Sequence, residues 1–151
     1  MAQKGNKKGE WVRRHVNDAW VKRAVSQGYR SRAVYKLQEI DEQDKLIKSG
    51  MTIIDLGSTP GGWSQYIARK HGSACKTIAV DLIEMDNLDQ VQFLHGDFQD
   101  PDILKQLDEL LDGRQVDLVI SDMAPNITGV RSVDEAQFEG LLDSVLYFSD
   151  L

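Results

Sequence analysis

From Met51 onward the chain alternates short apolar runs with amphipathic stretches. Thr52-Ile53-Ile54 and Thr77-Ile78-Ala79-Val80 are too short for helices and have no polar face, which predicts buried strands over 52–55 and 77–81. The same reasoning places a short strand over 91–94 and another over 116–121. Between them the apolar spacing widens to three and four, predicting helices over 62–71 and 101–111, the second opened by Pro101 behind Asp100. Strands alternating with helices predict an α/β fold with a parallel, doubly wound sheet. Ahead of the sheet, Asn17 or Asp18 can cap a short helix that ends at Gly28. Ser31 can cap the next, which carries Ala33, Val34, Leu37 and Ile40 on its inner side. Ser132 and Glu135 form a capping-box pattern for a last helix with apolar positions Phe138, Leu141, Leu142, Val145 and Leu146. The chain closes at Leu151 inside that pattern, so the expectation is a sheet cut short after its fourth strand and helix. The strand after Asp117 is then an apolar edge that a partner could cover. The expected division is a basic arm with helices over 1–50 and a partial sheet domain over 51–151.

The exit of the first strand carries the candidate chemistry. Asp55-Leu56-Gly57-Ser58-Thr59-Pro60-Gly61-Gly62-Trp63-Ser64-Gln65 breaks a strand into glycines and then opens a helix with Gly72 as its stop. Gly57, Gly61 and Gly62 lack a Cβ and tolerate positive φ, so the backbone can turn sharply against a ligand, with Pro60 stiffening the loop. The helix that follows points its free N–H groups back at the turn. The spacing is G-x-x-x-G-G, neither the G-x-G-x-x-G of dinucleotide dehydrogenases nor a phosphate-cradling G-x-x-x-x-G-K-[ST]. A ligand with an adenosine and a carboxylate, such as S-adenosylmethionine, fits this looser turn better than a pyrophosphate.

Charge changes the picture at the N-terminus. The net charge of −6 over 151 residues divides into ten Lys/Arg against Glu10 and Asp18 in residues 1–36, a surplus of +8, and −14 on the remaining 115. A basic arm on an acidic body is the footprint of a protein that meets a polyanion through one end. Trp11, Val12, Val16, Trp20, Val21 and Val25 interleave with those charges. A tryptophan there either stacks on bases or anchors the arm to the body. No apolar run approaches the roughly 20 residues of a bilayer span, which points to a cytoplasmic protein without a membrane segment. Cys75 has no partner cysteine, and His15, His71 and His95 have no ligand spacing, so no disulfide and no metal are expected.

In an open parallel sheet the ligand lies at the carboxyl ends of the strands. Three strand ends here are acidic. Asp81 can accept the hydroxyls of a ribose, and Asp97 a hydrogen bond from an adenine amino group that Phe98 covers. Asp122, in Ser-Asp-Met-Ala-Pro-Asn, stands beside the glycine turn. Lys36, on the helix before the first strand, forms a candidate pair with Asp122, one that would hold a hydroxyl near a sulfonium methyl.

Ser31-Arg32-Ala33-x-x-Lys36-Leu37, Asp55-Leu56-Gly57-x-x-Pro60-Gly61-Gly62-Trp63-Ser64-Gln65, Gly96-Asp97-Phe98 and Ser121-Asp122-Met123-Ala124-Pro125-Asn126 occur in this order. Together they resemble the FtsJ family, over about Trp11 to the end. The resemblance implies a Rossmann-like, S-adenosylmethionine-dependent methyltransferase fold and 2′-O-methylation of a uridine ribose in large-subunit ribosomal RNA. It implies that Gly57, Gly61, Gly62 and Trp63 line the cofactor's methionine end, Asp81 its ribose, Asp97 and Phe98 its adenine, with Asp122 at its reactive end. Lys36 and Asp122 match the first two members of the family's Lys-Asp-Lys-Glu catalytic set. No lysine follows Lys105, so the second lysine has no counterpart in these residues, and the glutamate none either. The expectation is therefore the cofactor-binding, N-terminal portion of an RNA ribose 2′-O-methyltransferase that meets ribosomal RNA or the large subunit. The alternative is a non-catalytic RNA- or ribosome-binding protein that retains the cofactor scaffold.

Overall fold

β1 (Thr52–Leu56) is buried at every position, because it runs down the middle of a parallel sheet with helices on both faces. In the computed structural model, which describes residues 18–123 together with Val12, Arg14, Arg131, Glu139 and Asp143, the strand order is β3-β2-β1-β4. β2 (Lys76–Asp81) pairs with one side of β1, β4 (Leu118–Ser121) with the other, and β3 (Val91–His95) lies outside β2. Among the described residues β4 lies at the edge of the sheet. It begins at Leu118 rather than 116, because the Asp117 carboxylate itself accepts the Thr52 N–H at 2.7 Å. The expected capping-box residues Ser132 and Glu135, the apolar positions of the last helix and the arm positions Trp11 and Val16 lie outside the described residues.

The core divides by strand parity. Ile53 points to one face and packs with Val34, Leu37, Trp63, Tyr66 and Ile67. Ile54 and Leu56 point to the other, against Ile78, Val80, Leu94, Ile103, Leu107 and Leu111. The first layer comes from α2 (Val34–Asp44) and α3 (Gly62–His71), the second from α4 (Pro101–Leu111). Each fully buried Ile or Leu contributes roughly 1.5–3 kcal/mol of transfer free energy. A short α1 (Ala19–Ser26) precedes them, capped by Asp18, whose Oδ1 accepts from the N–H groups of Trp20 and Val21.

Two sequence expectations for α2 need correction. Ser31 is not the cap residue: its hydroxyl accepts the Ala33 N–H at 3.1 Å in a turn before the helix, and Ala33 occupies the cap position. Ile40 is not on the inner side but 38% exposed, whereas Asp41 is fully buried. The reason is a polar knot under α3, where the Asp41 carboxylate accepts from the Ile47 N–H, the Tyr66 hydroxyl and the Lys70 ammonium. Burial alone would raise the Asp41 pKa, but those hydrogen bonds outweigh it and hold the carboxyl below its usual range.

Candidate active site

The turn after β1 is fastened to β2. Gly57 takes φ +69°, and the N–H groups of Gly57 and Ser58 both reach the Val80 carbonyl, at 2.8 and 3.3 Å. A Cβ on Gly57 would stand 2.2 Å from Cγ of Met123, so this glycine makes room for a side chain beyond β4. Gly61, at φ +105°, is the N-cap of α3 and provides no side chain to satisfy the first-turn N–H groups. Gly62 has no positive φ; a Cβ added to it would lie 3.1 Å from the Ser31 Cβ, so the missing side chain lets the start of α3 pack against the turn before α2.

A cleft of about 120 Å³ opens at this uncapped helix start, lined by Asp55, Gly57, Ser58, Gly62, Trp63 and Asp122 among others. The Trp63 indole N–H donates to the Ala33 carbonyl at 2.7 Å, so the ring is fixed between α3 and α2. Asp81, ending β2, accepts the Thr59 N–H on Oδ2 and the Ile83 N–H on Oδ1, both at 2.8 Å, tying the turn to the next strand end. Asp97 lies one strand further out, exposed, its Oδ1 accepting the Gln99 N–H, while Phe98 packs half-buried against the apolar layer under α4. Gly57, Gly62, Trp63 and Asp122 thus share one cleft, with Asp81 joined through Thr59. Asp97 and Phe98 are set apart from it at the β3 end. Gly61 lies beside it, where an added Cβ would meet Met85, Leu88 and Arg30.

Lys36 and Asp122 are 86 residues apart in sequence, yet Lys36 Nζ donates to Asp122 Oδ1 at 3.1 Å. Both side chains are exposed, 64% and 40%, so the pair faces an open space. That space is a groove of about 1230 Å³ along α1 and α2, which meets the smaller cleft at Ser31, Ala33 and Asp122.

Two participants were not singled out in the sequence. Asp55 is buried on β1, with the Ser64 hydroxyl donating to its Oδ2 at 2.7 Å. Burial pushes its pKa up to about 7; Asp81 and Asp122 add to the rise, and hydrogen bonds from the Ser64 hydroxyl and backbone oppose it. Arg30, counted above with the basic arm, spends its guanidinium on the Pro60, Asp86 and Asn87 carbonyls, clamping the glycine turn to the β2–β3 loop. Its signal was hidden because charge counting does not separate a clamp from a solvated cation. Among the described residues no helix is long and apolar enough to cross a membrane, and no group of His, Cys, Asp and Glu could hold a metal ion.

A parallel sheet in the order β3-β2-β1-β4, with a glycine turn and an uncapped helix after its central strand and acidic residues at the strand ends, defines a Rossmann-like fold. The FtsJ-like methyltransferase family matches residues 29–150, and the chain belongs to that family. It is 50% identical to the ribosomal RNA large subunit methyltransferase E of Burkholderia ambifaria (strain MC40-6), over 92% of this chain and 69% of that protein. The protein of the same name from Paraburkholderia xenovorans (strain LB400) matches at the same identity and coverage. The crystal structure of a Plasmodium falciparum ribosomal RNA methyltransferase superposes with a TM-score of 0.73 at 31% identity, over 80% of this chain and 70% of that one.

Proposed function

We propose that this methyltransferase uses S-adenosylmethionine to methylate a ribose 2′-hydroxyl, on a uridine of large-subunit ribosomal RNA, in the cytoplasm. The observation that carries this reading is the Lys36–Asp122 pair, 3.1 Å apart at the mouth of a cleft whose floor is an uncapped helix start. The donor set suits the cofactor. The first-turn N–H groups at Gly62 and Trp63 suit its carboxylate, Asp81 its ribose hydroxyls, and Asp97 with Phe98 its adenine. When bound, the cofactor would supply a sulfonium methyl as the electrophile, its sulfur leaving as a neutral thioether, and the hydroxyl proton would pass to the solvent that the exposed pair faces.

The chain's own contribution is placement. Lys36, anchored by Asp122, donates a hydrogen bond to the incoming 2′-oxygen, orienting its lone pair and polarising its O–H bond. Asp122 holds the ammonium in that position from the side of the glycine turn. Positioning of this kind lowers a barrier by roughly 7–11 kcal/mol at best. RNA is favoured over DNA because the 2′-hydroxyl is itself the nucleophile.

The test is transfer of a labelled methyl group from S-adenosylmethionine to large ribosomal subunits that lack the modification, followed by alkaline hydrolysis. Label in an alkali-resistant dinucleotide identifies the ribose 2′-oxygen, and loss of transfer in Lys36→Ala supports the assigned role. Label on a base overturns the proposal. Cofactor and RNA binding without transfer would assign the chain instead to RNA binding on a retained scaffold.

A further inference from the structure

The groove along α1 and α2 contains an arrangement that neither the cofactor nor the Lys36–Asp122 pair uses. Trp20 is 50% exposed although it is the largest side chain of α1. Its ring centroid is 5.4 Å from that of Tyr35, tilted by 47°, and the Arg23 guanidinium carbon lies 5.5 Å from the Trp20 ring and 4.6 Å from the Tyr35 ring. Tyr35 is fixed in turn, its hydroxyl donating to Gln27 at 2.6 Å. The indole is therefore held by a cation and a second ring while half its surface stays in water, a costly way to leave a tryptophan that serves only as an anchor.

Trp20, Arg23, Arg32, Tyr35, Lys36 and Asp122 line the same groove. At about 1230 Å³ it exceeds the roughly 300–1,000 Å³ of a drug-sized ligand site, which leaves room for more than one nucleotide. Its charge is graded. Arg23, Arg32 and Lys36 lie toward the Trp20 end, Arg32 partly neutralised by its ion pair with Asp18 and Lys36 by its pair with Asp122, whereas Glu39 and Glu42 line the groove further along α2. A phosphate backbone is attracted to the first end and repelled from the second.

We propose that Trp20, backed by Arg23 and Tyr35, is a stacking platform for an unpaired RNA base neighbouring the ribose presented to Lys36 and Asp122, so that the groove takes single-stranded RNA. This rests on the reading of the chain as an RNA-modifying enzyme and adds the form in which the substrate is held. An aromatic face accepts any base, so the platform fixes the strand without reading its sequence. A duplex keeps its bases stacked on each other and gives the indole nothing to receive.

The experiment compares a labelled single-stranded RNA with its duplex by fluorescence anisotropy, for wild type, Trp20→Leu and Trp20→Phe. Trp20→Leu keeps apolar bulk on α1 and should weaken single-strand binding by about 5- to 150-fold, the range measured for loss of one base–aromatic stack. Duplex binding should change less than about twofold, and Trp20→Phe should retain most single-strand affinity, as expected when only the stack is altered. A 2-aminopurine placed beside the target ribose should be quenched on binding wild type and not on binding Trp20→Leu. Single-strand binding by Trp20→Leu equal to wild type, or an equal loss for duplex, overturns the platform alone. If wild type binds S-adenosylhomocysteine but no RNA of either form, the platform falls, while the RNA reading stands or falls with methyl transfer to large ribosomal subunits.

Discussion

Replacing Asp55 by Asn should make the protein more resistant to unfolding at alkaline pH than at acid pH, relative to wild type. The carboxyl is buried on β1, receives one hydroxyl from Ser64, and faces the carboxylates of Asp81 and Asp122 from the neighbouring strand ends. Its pKa rises from 3.8 to about 7 on folding. The folded chain therefore binds the proton more tightly than the unfolded chain. The stability linked to that proton is fully present below the unfolded value near 4 and is lost as pH rises toward 7. At about 1.4 kcal/mol per pH unit, a shift of about three units is worth about 4 kcal/mol in all, and about 3 kcal/mol of it falls between pH 5 and pH 8. Asn keeps the shape and an oxygen for the Ser64 hydroxyl but has no proton to lose, so its own cost or gain is the same at every pH. Urea unfolding of both proteins at pH 5 and pH 8 measures the change directly. The stability difference should shift by about 3 kcal/mol in favour of Asn at pH 8. A difference that is constant across the two pH values would refute the claim that Asp55 is protonated in the folded chain.

The remaining predictions separate chemistry from architecture. Lys36→Ala and Asp122→Ala should leave the melting temperature nearly unchanged, since a pair this exposed contributes no more than about 1 kcal/mol, while methyl transfer falls; a large drop in melting temperature would reassign the pair to structure. Gly57→Ala should destabilise through the positive φ, by about 1–2 kcal/mol, and through its collision with Met123. In a double-mutant cycle the cost should be smaller by at least about 1 kcal/mol in a Met123→Ala background, and additivity would remove the collision. Replacing Arg13, Arg14, Lys22 and Arg23 together with neutral residues should flatten the salt dependence of RNA affinity, and an unchanged slope would discard electrostatic contact by this segment.

What the sequence made legible was whatever depends on short-range pattern. β1, β2 and α4 fall within one or two residues of their expected bounds because buried parallel strands leave unbroken apolar runs and because Pro101 and Asp100 mark a helix start. The Lys36–Asp122 contact could be anticipated because both residues flank the central strand, one on the preceding helix and one beyond β4. Contacts made by unremarkable residue types were not legible. Asp41 displaces Ile40 from the buried face only because Tyr66 and Lys70 arrive from α3. Gly57 looks like ligand space until Met123, 66 positions later, is brought against it. Gly96 needed no comment as a loop glycine, yet a Cβ there would lie 2.4 Å from Ile103 Cδ1. Asp55 sits inside an apolar strand, and nothing near it in sequence announces that the Ser64 hydroxyl closes over it.

The ends of β1, β2 and β3 are the proposed seat of S-adenosylmethionine. The direct measurement is calorimetric titration of the chain with S-adenosylhomocysteine, for wild type and for Asp81→Ala. Saturable one-to-one binding that Asp81→Ala weakens at least about tenfold, the loss of about 1.4 kcal/mol expected for one charge-assisted hydrogen bond, is the predicted result. No binding by a folded wild-type chain, or binding indifferent to Asp81→Ala, would contradict it.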